Sequence, residues 1–161
     1  MEEKLVQAFI DAVRIEKHRM YRVAFGFLHS PQDSEDAVSE AVEATWKNLK
    51  RIRSADALPA YLIRCTINAA KGQLRKKKRT EPLDPYAETL ATAESGDPVT
   101  DYLSGMKEKD RLLLILKFRE NLKESDIASI LRIPRGTVSS RLSTLLRKIR
   151  EQMKKEGVPH D

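Results

Sequence analysis

Basic side chains and one asparagine form a single helical stripe in the first half of the chain. Arg64, Asn68, Lys71 and Arg75 stand at positions i, i+4, i+7 and i+11, and the stripe runs into five consecutive cations, Arg75 to Arg79. Like charges this close repel one another, and a polyanion relieves the repulsion by bringing its phosphates to them. Asn68 adds a side chain that can hydrogen-bond a base edge. The pattern favours phosphate binding over a merely solvated face, with base reading by Asn68 as the weaker interpretation. The predicted DNA contacts here are Arg64, Asn68, Lys71, Arg75, Lys76, Lys77, Lys78 and Arg79.

A second candidate for nucleic-acid binding lies near the C-terminus. A short amphipathic segment, Glu124 to Leu131, is followed by a tight turn at 132–136 and a long helical pattern from about Thr137. Val138, Leu142, Leu145 and Ile149 share its inner face. A short helix, a turn and a helix with a polar, basic outer face indicate a helix-turn-helix that inserts its second helix in the major groove. The alternative is a plain helical hairpin with a basic surface. The predicted DNA contacts here are Arg135, Thr137, Ser139, Ser140, Arg141, Ser143, Thr144, Arg147 and Lys148.

An acidic face interrupts the basic first half of the chain. The segment Ser30-Pro31-Gln32-Asp33 breaks the helical pattern, and Asp33 is the predicted N-cap of the helix that follows. The helix dipole explains acids in the first turn but explains Glu40 and Glu43 less well. Spacing alone leaves dipole stabilisation and a protein-docking surface equally open. The predicted docking residues are Asp33, Glu35, Asp36, Ser39, Glu40 and Glu43.

The residue types that support metal or redox chemistry are sparse. Cys65 is the one cysteine, and His18, His29 and His160 lack the i, i+4 spacing of a metal pair. We therefore expect no metal site, no cofactor and no enzymatic activity. No apolar run approaches the roughly 20 residues that a membrane span needs, and the acidic start MEEKLVQAF is unlike a signal peptide. The sequence predicts a cytoplasmic protein without membrane insertion.

The charge distribution divides the 161 residues into three parts. Residues 1–79 and residues 106–161 each carry a net charge of +6, whereas residues 80–105 hold six acids and no base. The middle part also contains three prolines and two glycines and has no apolar period, which is typical of a flexible linker. The prediction is an N-terminal domain at 1–79, a linker at 80–105 and a C-terminal domain at 106–161.

Apolar residues recur at helical spacing in both domains, and no strand-like alternation persists, so the expected fold class is all-α. In the first domain the pattern predicts two helices before the break at Ser30 and two after it, with Pro59 in the first turn of the fourth. In the second domain it predicts a deeply buried helix from Met106 to Phe118. The expected inward-facing residues of the first domain are Leu5, Phe9, Val13, Met20, Val23, Ala24, Phe27, Leu28, Val38, Val42, Thr45, Trp46, Leu49, Leu62, Cys65, Thr66 and Ala69.

The two domains in this order resemble the extracytoplasmic-function (ECF) class of sigma factors, over nearly all of residues 5–152. The resemblance is carried by MYRVAFGFLHSPQDSEDAVSEAVEATWKNL, LPAYLIRCTINAAKGQLRKKKR and ESDIASILRIPRGTVSSRLSTLLRKIR. It implies a first domain that binds core RNA polymerase through the helix from Asp33 to Trp46 and melts the minus-ten element with the helix from Leu58 to Arg79. The loop from Arg51 to Ala57 resembles the segment that captures a flipped-out base. The second domain would read the minus-thirty-five element with the helix from Arg135 to Lys148.

The resemblance therefore implies an alternative sigma factor whose partners are core RNA polymerase and promoter DNA, with an anti-sigma factor as a candidate regulator. The chain departs from the family pattern at Ser39, Tyr61 and Arg132, where glutamine, tryptophan and the turn glycine are common. Thr144 and Leu146 occupy positions that are often arginine. The changes at Thr144 and Leu146 bear on how firmly the second domain holds DNA and on which sequence it reads.

Two other functions are compatible with parts of the sequence. A stand-alone helix-turn-helix regulator would use its first domain for dimerisation or sensing, but such a domain has no need of the basic stripe. An enzyme acting on nucleic acids would need a metal cluster, a phosphate-binding loop or an activated nucleophile, and the sequence predicts none of these. Binding to DNA as a dimer without polymerase would identify the regulator, and metal-dependent cleavage of DNA would identify the enzyme.

Overall fold

The computed structural model describes residues 3–80 and 106–157, and in these two ranges all the regular secondary structure is helical. The chain divides into two compact units, Met1–Asp84 and Pro85–Asp161. The predicted linker lies outside the described residues, apart from Thr80 at its start. We refer to the two parts as unit 1 and unit 2.

Unit 1 begins with one long helix, α1 (Glu3–Leu28), where the sequence pattern predicted two. That prediction was wrong because Glu16 occupies a core position between Ala12 and Met20 and interrupts the apolar stripe. Its carboxylate is buried but paired, since Arg19 Nη1 lies 3.1 Å from Glu16 Oε2. A buried charge with such a partner is tolerated within a helix, and residues 14–19 contain no glycine or proline that would end one.

The second helix, α2 (Pro31–Lys47), starts three residues after α1 ends. Its N-cap is Ser30, whose hydroxyl accepts a hydrogen bond from the Asp33 N–H (3.3 Å), so the predicted cap at Asp33 was wrong. Pro31 suits the first helical position because the N–H that it lacks would have no helical partner there.

The face that α2 turns to the core consists of small side chains: Ser34, Ala37, Ala41 and Thr45. The Ser34 and Thr45 hydroxyls donate to backbone carbonyls one turn earlier, at 2.6 and 2.8 Å, which makes their burial possible. The predicted core residues Val38 and Val42 are only half-buried and Trp46 is 44% exposed, whereas Thr45 and Leu49 are buried as predicted. The small stripe lets α2 approach its neighbours closely and leaves its larger apolar residues outside.

Two short 3-10 turns, Leu49–Arg51 and Ala55–Ala57, lead into α3 (Leu58–Thr80), with Pro59 in its first turn as predicted. The three helices pack pairwise around one core. Leu58, Leu62, Ile63, Thr66 and Ile67 are the buried residues in the first half of α3. Leu62 and Thr66 were predicted correctly, but Cys65 and Ala69 are half-buried.

Unit 2 contains α4 (Glu108–Leu114), which continues as a π-helical turn at Ile115–Arg119, then α5 (Glu124–Leu131) and α6 (Arg135–Lys155). The five residues Leu112 to Leu116 are all buried, as the apolar run predicted. The helix α6 begins two residues before Thr137 and packs against both α4 and α5. Of its predicted inner stripe, Val138, Leu142 and Leu145 are buried and Ile149 is half-buried.

The turn between α5 and α6 depends on Arg132, whose backbone is left-handed (φ 56°, ψ 46°). The Ile133 N–H then bonds back to the Ala128 carbonyl at 3.1 Å and closes the end of α5. Glycine adopts this conformation at no steric cost, whereas arginine does so under strain. A second left-handed residue, Asn121 (φ 55°), precedes α5, and asparagine tolerates this region better.

Candidate nucleic-acid and protein interfaces

The basic stripe of α3 lies at the surface of unit 1. Asn68 and Arg75 are exposed, and Arg64 and Lys71 are half-buried. The Arg64 guanidinium lies 5.7 Å from the centre of the Tyr61 ring, a distance at which the ring face attracts a cation and limits where the guanidinium can move. The four predicted side chains are thus brought together on one helix, and Tyr61, noted in the sequence only as a departure, supports one of them.

The five cations that close α3 differ in their surroundings. Arg75, Lys76, Lys78 and Arg79 are exposed, whereas Lys77 is half-buried and forms an ion pair with Asp33 at the start of α2. The relative exposures of these two side chains are 40% and 27%. One of these five cations, each a predicted DNA contact, is therefore already engaged with a residue predicted to bind protein.

The acidic face of α2 borders an apolar groove. Glu35, Asp36, Ser39, Glu40 and Glu43 are exposed, and Glu43 Oε1 lies 3.0 Å from Lys47 Nζ. Beside them is an open groove of about 430 Å³, lined by Phe9, Val38, Ser39, Val42, Glu43 and Trp46. An apolar floor with a polar rim is the usual anatomy of a protein-protein interface.

Sequence reasoning found the acidic rim of this groove and missed its floor. The rings of Phe9 and Trp46 are tilted against each other with centroids 5.4 Å apart, so α1 and α2 both contribute to it. Their apolar character placed them both in the predicted core, and Phe9 is indeed 93% buried while Trp46 remains accessible. The sequence contained one indication that Trp46 lies outside the core. The small residues at helical spacing already form a complete inward stripe for α2, and these are Ser34, Ala37, Ala41 and Thr45.

A second cavity, of about 550 Å³, lies beside the loop that precedes α3 and is lined by Lys4, Leu5, Lys50, Ile52, Arg53, Ser54 and Ala55. Apolar side chains and three cations share its wall, which suits an aromatic base joined to a phosphate. Ile52 to Ala55 fall within the loop, Arg51 to Ala57, that the family resemblance assigned to base capture. The contribution of Lys4 and Leu5 from α1 has no signal in the local sequence, because it depends on how α1 packs.

The helix α6, which the sequence predicts to lie in the major groove, presents most of its predicted DNA contacts to solvent. The exposed ones are Arg135, Ser140, Arg141, Ser143, Thr144, Arg147 and Lys148, while Thr137 and Ser139 are half-buried. The Ser139 hydroxyl donates a hydrogen bond of 2.5 Å to Oε2 of Glu124, the first residue of α5. Glu124 thus lies beside the predicted DNA surface, and the sequence did not single out this residue.

Within residues 3–80 and 106–157, no cluster of three or more His, Cys, Asp or Glu side chains is arranged to hold a metal ion. No helix in the same ranges is long and apolar enough to cross a membrane.

The chain matches two known protein-family profiles: sigma-70 region 2 over residues 12–80 and sigma-70 region 4 over residues 97–149. Among individual proteins, the sigma factor SigV of Bacillus subtilis is 25% identical, with 88% of this chain and 89% of that protein covered. The ECF sigma factor SigW of the same organism is also 25% identical, covering 91% and 89%. The sigma-E factor of Streptomyces coelicolor is 27% identical, covering 92% and 87%.

Two solved structures share the fold at 18% identity. One is the sigma factor RpoE of Bartonella quintana in complex with the anti-sigma factor NepR (TM-score 0.65, covering 91% of this chain and 96% of that one). The other is CnrH in complex with the cytosolic domain of CnrY (TM-score 0.68, covering 94% and 95%). The family profiles account for both units in the expected order, and the chain belongs to the sigma-70 family, as an alternative sigma factor of its ECF class.

Proposed function

We propose that unit 1 docks on core RNA polymerase through the acidic rim and apolar groove of α2 and contacts the minus-ten element through α3, while α6 of unit 2 reads the minus-thirty-five element. One observation carries this assignment: the docking groove and the basic stripe occupy different helices of unit 1, so one small bundle presents separate surfaces to a protein and to DNA. The chain acts as a non-catalytic subunit in the cytoplasm, where the polymerase works.

The chemistry of the groove supports its role in polymerase binding. Trp46 and the valines beside it are apolar surface that water solvates poorly, and their burial by a partner is favourable at roughly 25 cal/mol per Å². The exposed acids would steer a basic partner surface and exclude an acidic one such as DNA. A partner with basic side chains around an apolar ridge therefore fits this face.

The cavity beside the loop supports a role in promoter melting. A base that leaves the DNA stack needs a pocket with apolar walls and a cation near its phosphate. Lys4, Lys50 and Arg53 can neutralise that phosphate, and Leu5 and Ile52 can contact the base. We assign this cavity to a flipped-out base of the minus-ten element.

The complexes of RpoE with NepR and of CnrH with CnrY suggest one further partner. We propose that an anti-sigma factor also binds this chain and that it covers the α2 groove, thereby competing with polymerase. Competition is the expected relation because the groove is too small for two large partners at once. Titration of a preformed sigma-polymerase complex with such a factor would release the polymerase.

The experiment that tests the function is transcription in vitro by core polymerase with the full-length chain, from a DNA library randomised at both promoter elements. Sequencing the transcripts should show enrichment at two separated positions, one for each unit. DNA binding by the chain alone as a dimer, without any effect on core polymerase, would instead identify a stand-alone regulator.

A further inference from the structure

The contact between Glu124 and Ser139 lies at the edge of the recognition surface. Ser139 is the fifth residue of α6, within the N-terminal turns that approach base edges in a helix-turn-helix. Its neighbour Ser140 is exposed, and both Ser139 and Glu124 are half-buried, so their polar atoms are not sealed in the core. The hydrogen bond joins the two helices of the motif across fifteen positions of sequence.

This contact fixes the hydrogen-bonding character of Ser139. A serine hydroxyl has one proton to donate and two lone pairs that accept, so on its own it can contact bases of either kind. Here the proton is donated to the Glu124 carboxylate, which itself only accepts. With that proton engaged, both side chains can only accept further hydrogen bonds.

We propose that Glu124 is a positioning residue for promoter specificity, which makes Ser139 an acceptor-only contact that selects an amino-bearing base, adenine or cytosine, on the strand that it faces. In the major groove these two bases offer a donor at N6 or N4, whereas guanine and thymine offer oxygen acceptors at the corresponding place. The two oxygens of a keto base and of Ser139 would repel each other. The inference rests on the proposed function of α6 and adds to it a residue from α5.

The test is the transcription assay with core polymerase and the full-length chain, with only the upstream element randomised. For the wild type, one position should favour adenine or cytosine over guanine and thymine by about three- to tenfold, the range expected for one hydrogen bond. Ser139→Ala and Glu124→Ala should both reduce this ratio towards one at that position and leave other positions unchanged. Ser139→Thr keeps the hydroxyl and should keep the preference.

Asp126→Asn is the matched control, because it removes one exposed acid from the same helix. Loss of negative charge raises affinity for every DNA sequence alike, so this variant should leave the base ratios unchanged. Glu124→Gln retains the size of the side chain but can also donate, and it should relax the preference even if Glu124→Ala unfolds. A preference that survives Glu124→Ala and Glu124→Gln, or a wild-type preference for guanine or thymine at the Ser139-dependent position, would overturn the proposal. If the wild type selects no sequence with core polymerase, the proposed function itself has failed.

Discussion

The Nζ atom of Lys77, near the end of α3, forms an ion pair with Oδ2 of Asp33 in the first turn of α2. The carboxylate lies at the positive end of one helix dipole and the ammonium at the negative end of another, so each group also suits its own helix. The pair connects the face assigned to polymerase with the run assigned to DNA. If Lys77 contacts DNA as proposed, it must exchange the Asp33 carboxylate for a phosphate.

Asp33→Asn should make Lys77 available to DNA. In a titration of the polymerase complex on promoter DNA, the slope of log affinity against log salt should become steeper by about 0.9, the value for one added phosphate contact. The free energy of unfolding should change by less than about 1 kcal/mol, because the pair is partly exposed. Glu35→Gln, an exposed acid of the same helix, is the control and should leave the slope unchanged. Equal slopes for wild type and Asp33→Asn would show that the Asp33 carboxylate does not keep Lys77 away from DNA.

Asp36→Arg combined with Glu40→Arg should weaken binding to core polymerase, because the rim would then repel a basic partner. Both side chains are exposed, so the helical circular dichroism should be that of the wild type. The same charge reversal at Glu3, an exposed acid on α1, should have little effect. Unchanged core affinity of the double variant in a fluorescence titration would remove the acidic face from the interface.

Trp46→Ala and Leu49→Ala separate binding from folding. Trp46 is 44% exposed and lines the groove, so its loss should lower core affinity at least tenfold with little change in stability. Leu49 is fully buried, and its truncation should destabilise unit 1 by about 2–5 kcal/mol. Urea denaturation and a core-binding assay on both variants measure the two effects. A Trp46→Ala protein that binds core normally would contradict the docking role of the groove.

Replacement of the five residues Arg75 to Arg79 by alanine should reduce open-complex formation at every promoter, because phosphate contacts carry little sequence information. Substitution of Ser140 or Arg141 should instead change the preferred upstream sequence, at about 1–3 kcal/mol for each lost base contact. Permanganate footprinting and the sequencing assay report these two outcomes. A change of preference from the alanine block alone would reverse the roles of the two helices.

Arg132→Gly should stabilise unit 2 by about 0.5–1 kcal/mol. The gain is the relief of left-handed strain, reduced by the greater freedom of glycine in the unfolded chain. Asn121→Gly is the matched case, and its effect should be near zero because asparagine already tolerates φ 55°. Thermal denaturation of the full chain gives both values. Destabilisation by Arg132→Gly would mean that the arginine side chain makes a contact worth more than the strain.

The sequence predicted the helical class and the basic stripe well because both follow from local periodicity. It failed where one residue broke the period, as Glu16 did in α1, or where size rather than polarity decided which face is buried, as in α2. Contacts between distant residues were beyond its reach. The spacing of residues in the sequence does not predict the pairing of Lys77 with Asp33 or that of Ser139 with Glu124, because each pairing depends on how two helices pack.

The inner face of α2 carries small side chains and the outer face carries large apolar ones, so selection for a stable fold and selection for partner binding act on different residues. With the docking role proposed for the groove, exchange of Val38, Val42 or Trp46 would alter what it binds, while Ala37 and Ala41 keep the bundle intact. Chains with the same scaffold could thus diverge in their hold on a shared polymerase without losing stability. In a cell with several such chains, substitutions at these outer positions would set how the limited pool of polymerase is apportioned among them.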